Sequence, residues 1–486
     1  WPPSCYKDLA CRWPRVASVE VRQQVTPTSP LPLRCKKLTA PNAYPLMDAL
    51  SRLPNLHTLR LGALDTNFRR ARDFAVRLVA NVARLPNLRS LDLSGSGVSQ
   101  LPPSLLYACT SLTHLSLDSC RMQSLPAGLS RLSGLVHLSA ANSTRLQALP
   151  ESVMAHLTAL TFLDVRGCKL QSLPQSLPYS LQHLSASSNR LTQLPQTLGQ
   201  LRSLTHLDIS DNQLRNLPSL ALLKGLTRLQ VGSNWTLANG SLQACLPTYM
   251  PALVVLEACG IGLKSLPSSL TCPKLEEIQL SSNDLAEVPS CLKAMSSLKS
   301  LSLDYNELNV LPDWLGGLTT LTSLDVSGNA LLGLPENLGL AGLGESLLTL
   351  TAASNALLSL PFSFSRLSNL TELDLSDNKL GPLPPPVVWQ LPKLNLLAMA
   401  SNGLQRLDHE VGRLRLLKWL DVSDNQLEAL PLQALLSSMQ LEVLKISGNV
   451  LEVPDDLPLM ACWPRPEAAA LSGQGEAGMG SSQKLR

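Results

Sequence analysis

Apolar residues return along most of this chain at a spacing that fits neither a helix nor an ordinary strand. In "LTHLDISDNQL", Leu204 to Leu214, leucine or isoleucine fills the first, fourth, sixth and eleventh positions, with asparagine at the ninth. The centre of the block alternates as a strand does: Leu207 and Ile209 share one face, His206 and Asp208 the other. The alternation lasts only a few residues and then starts again one unit later. The block begins anew at Leu56, Leu88, Leu112, Leu135, Leu160, Leu181, Leu204, Leu226, Leu253, Leu275, Leu298, Leu321, Leu347, Leu370, Leu394, Leu417 and Leu441. Most intervals are 22 to 24 residues, and the longest, from Leu56, is 32. A period of this length predicts an array of stacked units, each too small to bury its own leucines.

The polar positions have their own logic. Asparagine recurs at the ninth place, from Asn189 to Asn449, where its amide can bond backbone groups that a turning chain leaves unpaired. Six units carry something else there: Leu64, Ser96, Cys120, Ser143, Cys168 and Ile261. Serine and cysteine can still donate one bond, so the asparagine ladder should loosen toward the N-terminus and break at Ile261. The unit before that break, Leu226 to Leu253, is 27 residues long and predicts a bulge or inserted loop. Leu-Pro follows most strands, as in "LQSLPQSL", which predicts short helices and 3₁₀ turns on the outer side. One segment, Asp65 to Leu85, has helical apolar spacing at Phe68, Phe74, Leu78 and Val82 and accounts for the 32-residue interval.

This block resembles the core of the leucine-rich-repeat family. The resemblance implies an α/β solenoid, or horseshoe, with a parallel sheet on the concave face and short helices or 3₁₀ turns on the convex one. The array runs over residues 53–460 in about seventeen units. Residues 1–52 read as an N-terminal cap, degenerate repeat or linker, with "RVASVEV" keeping the strand spacing. Residues 461–486 are too poor in apolar side chains to pack and read as a disordered tail.

Composition narrows the function classes. Of 486 residues, 44% are apolar and 4% aromatic, so leucine builds the core from many small contacts. A net charge of +4 without a basic block gives no sign of a nucleic-acid partner. No apolar run approaches the roughly 18 residues of a membrane span. The eleven cysteines are scattered, with no CxxC pair, which points away from zinc and toward the reducing, cytoplasmic side of a cell. Gly-Lys never occurs, and no HExxH, GxSxG or kinase pattern is present. No catalytic, cofactor-binding or metal-ligating residue is assigned, and the chain reads as a non-enzyme.

Binding residues are read from the outward strand positions. One column contains His114, His137, Phe162, His183, His206 and Arg228, and later Leu396 and Trp419. The next contains Asp164, Asp208, Glu257 and Asp421. Four of the seven histidines stand in the first column, on units that are neighbours or nearly so. A metal site, a pH-sensitive patch and a plain partner contact are the readings such a row allows. Leu396, Trp419 and Val443 form a separate apolar patch that is either a contact or covered by the disordered tail or the C-terminal cap.

The "LPxxL" units and "LDLSDNKL" are similar to the intracellular Ras-group-related leucine-rich-repeat proteins. That resemblance implies a signalling scaffold with a small GTPase or phosphatase as protein partner. The segment "CRWPRVASVEV" resembles the join between an F-box and its repeats. That alternative would make the chain the substrate-recognition subunit of a ubiquitin ligase, its box lying before Trp1.

Overall fold

The computed structural model describes residues 56–61 and 87–451 apart from 239, 341, 438 and 439, together with Val82, Leu85 and the backbone of two upstream strands. The strands are β1 (Val19–Glu20), β2 (Pro32–Cys35), β3 (Thr58–Leu61), β4 (Ser90–Asp92), β5 (His114–Ser116), β6 (His137–Ser139), β7 (Phe162–Asp164), β8 (His183–Ser185), β9 (His206–Asp208) and β10 (Arg228–Gln230). They continue as β11 (Val255–Glu257), β12 (Glu277–Gln279), β13 (Ser300–Ser302), β14 (Ser323–Asp325), β15 (Thr349–Thr351), β16 (Glu372–Asp374), β17 (Leu396–Ala398), β18 (Trp419–Asp421) and β19 (Val443–Lys445). β3 to β19 correspond one for one to the seventeen leucine starts. Each begins two residues after its leucine and pairs in parallel with the next. Upstream, β2 pairs in parallel with β3, and β1 pairs antiparallel with β2. The sheet therefore starts before the first recognisable leucine.

The core is a continuous file of leucines. Leu204, Leu207, Ile209 and Leu214 are all buried, as are Leu181, Leu184, Ala186 and Leu191 at the same positions of the preceding unit. Each unit closes over the leucines of the next, so the array buries what a single unit could not.

The outer side carries 3₁₀ turns such as Ala127–Arg131, Gln196–Gln200 and Asp313–Gly317, and a few one-turn helices such as Pro103–Ala108 and Glu151–Met154. The expected proline sits just ahead of the helical residues: Pro126, Pro195 and Pro312 are extended N-caps. The long unit, for which a bulge or inserted loop was expected, carries an inserted segment. Its extra residues include a short helix, Ser241–Cys245, entered through Gly240 at φ 82°, a left-handed turn that glycine tolerates without steric cost. Of the helix expected over Asp65 to Leu85, only Val82 and Leu85 are described, and both are buried. The C-terminal tail and Leu64 lie outside the described residues.

The asparagine ladder is present. Asn212 Nδ2 donates to the carbonyls of Ala186, Ile209 and Ser210 at 3.0–3.1 Å, while its Oδ1 accepts from Leu191 N at 3.0 Å. Each asparagine thus ties its own turn to the preceding one. In the N-terminal units the weaker donors take over. Ser143 Oγ bonds the Leu117 carbonyl and accepts Cys120 N, and Cys120 Sγ and Cys168 Sγ point to the carbonyls of Leu93 and Ala140 at 3.3 Å. At Ile261 the ladder breaks, and Leu237 N turns to the carbonyl of Asn234 in its own unit.

Candidate concave binding face

Three-residue strands leave little choice of orientation. The central leucine enters the core, and the residues on either side of it stand on the concave face. Parallel pairing without register shift aligns His114, His137, Phe162, His183 and His206 across five consecutive strands. Strands lie about 4.8 Å apart, close to the thickness that stacked rings require. The five rings form one continuous stack. Centroid separations are 5.6, 4.1, 4.4 and 5.3 Å in chain order, with the two central pairs within 10° of parallel. Phe162 is the middle ring, with a histidine pair on each side. His114 is exposed and the other four are half-buried.

Threonines and carboxylates flank the stack. Thr113 Oγ1 and Thr205 Oγ1 each lie 2.9 Å from the Nδ1 of the following histidine. Asp118 accepts from Ala141 N at 2.8 Å and from Ser139 Oγ. Asp208 accepts from Ser210 Oγ at 2.6 Å and Ser185 Oγ at 3.3 Å. Asp164, expected among the contact residues, is only 6% exposed. It accepts from Arg166 N at 3.1 Å and lies 3.4 Å from Arg166 Nε, so it braces the surface rather than offering itself to a partner. Burial raises its carboxyl above the usual range despite that partner. Burial also lowers His137, His183 and His206, with the neighbouring imidazole or, for His206, Arg228 adding to the effect.

The remaining sequence candidates lie elsewhere on the same face. Arg228 is exposed beside His206 on β10, and Glu257 accepts from Gln230 Nε2 at 2.6 Å. Leu396, Trp419 and Val443 are aligned on β17 to β19, all half-buried, far along the sheet from the ring stack. Lys445 covers part of the Trp419 ring, with Nζ 4.6 Å from its centroid, and also pairs with Asp421 at 3.2 Å. That lysine shields the tryptophan; the tail expected to cover it lies outside the described residues. Sequence reading missed Thr113, Thr205, Asp118 and Arg166. A signal existed for the threonines, because "LTHL" occurs twice, at Leu112 and at Leu204. Asp118 and Arg166 lie beyond the strands, outside the two columns read.

Family models described as leucine-rich repeat match residues 273–331 and 345–404, and a two-copy leucine-rich-repeat model matches 179–222. The chain folds as a leucine-rich-repeat solenoid. The repeat chain is 29% identical over 246 residues to a probable disease resistance protein of Arabidopsis thaliana, a match covering 45% of this chain and 13% of that protein's length. Among solved structures it is similar to a leucine-rich-repeat protein of Leptospira interrogans, at TM-score 0.68 and 28% identity over 77% of this chain and 93% of that one. It also resembles the ectodomain of the Arabidopsis thaliana receptor kinase GASSHO1/SCHENGEN3, at TM-score 0.67 and 24% identity over 93% and 56% of the two chains. The second likeness is one of fold alone. Among the described residues, no helix is long and apolar enough to cross a membrane.

Proposed function

We propose that this leucine-rich-repeat protein is a non-catalytic scaffold that binds a protein partner on its concave face, across β5 to β9. Leucine-rich repeats generally mediate contacts between proteins, and one observation carries the reading for this surface. Five stacked rings stand on a solvent-facing sheet, where the leucine core does not need them. Ordered ring surface of this kind loses little entropy on binding and is enriched at contact sites.

The scaffold is proposed to act in the cytoplasm, in intracellular signalling. Seven described cysteines are free, and six of them are buried, which supports a reducing compartment. The likeness of the "LPxxL" units to the Ras-group-related proteins supports a small GTPase or phosphatase as the partner class. Affinity capture with the intact chain tests the face. Capture should yield at least one protein that the Phe162→Ala, His183→Ala, His206→Ala triple variant fails to hold while it keeps a cooperative melt. An identical capture profile for the two chains would remove β5 to β9 as the binding surface.

A further inference from the structure

The hydrogen bonds of the ring stack restrict what chemistry a partner can bring. Thr205 Oγ1 donates to the Gln182 carbonyl at 2.9 Å, and the same oxygen faces His206 Nδ1. A hydroxyl has one proton to give. With that proton on the carbonyl, the oxygen can only accept, so His206 Nδ1 carries the imidazole proton. Nε2 of the neutral ring is then a bare acceptor. The arrangement repeats at the other end of the stack, where Thr113 Oγ1 donates to the Arg89 carbonyl at 3.1 Å and faces His114 Nδ1. The two "LTHL" segments therefore lock the outer histidines in the same tautomer.

Stacking removes a competing mode of recognition. The faces of Phe162 are covered by His137 at 4.1 Å and His183 at 4.4 Å, so a partner's cation cannot sit over its ring. Recognition falls to ring nitrogens and carboxylates. The charged groups around the stack are Asp92 on β4, Asp118 after β5, Asp164 and Arg166 at the end of β7, Asp208 on β9 and Arg228 on β10. Asp92 is drawn toward Arg60 at 3.7 Å, and Arg166 is drawn to Asp164. Asp118 and Asp208, together with the two Nε2 atoms, supply acceptors along the strip, and Arg228 stands as a cation at its β10 end, beside His206. The acidic character continues on β11 and β12 with Glu257 and Glu277. It is local, because the whole chain carries +4.

We infer that this strip takes a protein segment bearing lysine or arginine side chains, held at neutral pH by His114 Nε2, His206 Nε2, Asp118 and Asp208, and released in acid. Protonation of His206 turns its Nε2 from an acceptor into a charged donor that repels the same side chains. The inference rests on the concave face being the binding surface. It adds the chemistry of the partner and the sign of the pH response.

Fluorescence anisotropy with short labelled peptides tests it: a Lys/Arg-Ser repeat, a Glu-Ser repeat and a Gly-Ser repeat. At about pH 7.5 the basic peptide should bind about tenfold more tightly than either control, and it should weaken about tenfold at about pH 5.5. The His114→Gln, His206→Gln pair should keep neutral-pH binding within a few-fold and lose the acid release. The Asp118→Asn, Asp208→Asn pair should weaken binding at neutral pH. Circular dichroism at both pH values separates release from unfolding, and the neutral-pH peptide preference is informative in either case. Equal binding of the three peptides, or full acid release by the glutamine pair, would overturn the inference. Failure of the basic peptide alongside loss of a captured partner from the triple variant would leave the binding face standing and reject only its basic preference.

Discussion

The ring of Phe162 lies 4.1 Å from that of His137, with 10° between their planes, although 25 residues separate them in the chain. No local rule brings these two side chains together. The period of the repeat does, by returning the chain to the same place one strand over.

That contact has a measurable worth. Stacked aromatic pairs contribute about 0.5–1.5 kcal/mol beyond the area they bury. Phe162→Ala removes two such pairs and should cost about 1–3 kcal/mol, while Phe162→Tyr should cost little. Urea denaturation followed by circular dichroism checks the pair. Equal midpoints for the alanine and tyrosine variants would mean that the rings are neighbours without being partners.

The asparagine ladder makes a graded prediction. Asn212→Ala strands the buried Leu191 N–H and removes a donor from three carbonyls, for a cost of about 3 kcal/mol. Asn402 differs. Its Nδ2 bonds the carbonyls of Leu375 and Ala400, but its buried Oδ1 accepts nothing among the described residues. Asn402→Ala should therefore cost about 1 kcal/mol less than Asn212→Ala. The reverse order of denaturation midpoints would contradict the role assigned to Oδ1.

Stability should fall on mild acidification. His137, His183 and His206 have folded-state values below the ordinary 6.5, so the folded state binds fewer protons than the unfolded one. Their contribution is complete above about pH 6.5 and is lost as pH drops below it. Asp164 acts in the opposite sense at lower pH, because its raised value lets the folded state gain stability as the carboxyl protonates. Melting temperature should thus decline below about pH 6.5 and flatten further down. His183→Phe, which keeps a ring in the stack without a titrating group, should show a shallower decline. An unchanged slope would place the sensitive groups elsewhere.

Among the described residues, six buried cysteines should be inert in the native protein. Burial pushes Cys109, Cys120, Cys168 and Cys291 up to about 11, and Cys245 and Cys272 up to about 12. At about pH 8 their thiolate fraction is at least about a hundredfold below that of a free thiol. Alkylation mapped by mass spectrometry should label Cys259, which is partly exposed, well before these six. Early labelling of Cys245 or Cys272 would show that their units open in solution.

Much of this molecule was legible in its sequence. Repetition forces one geometry on every unit: seventeen leucine starts gave seventeen strands, the ninth-position asparagines bond neighbouring turns, and Ile261 marks the break. The outward columns could also be read, because two-residue alternation assigns each side chain a face. What those side chains do to one another was decided only by the assembled sheet. Adjacency between strands produced the five-ring stack and placed Lys445 on Trp419. Such contacts depend on distances of a few ångströms between residues a full unit apart, and the period fixes which residues meet without fixing how their rings and charges settle.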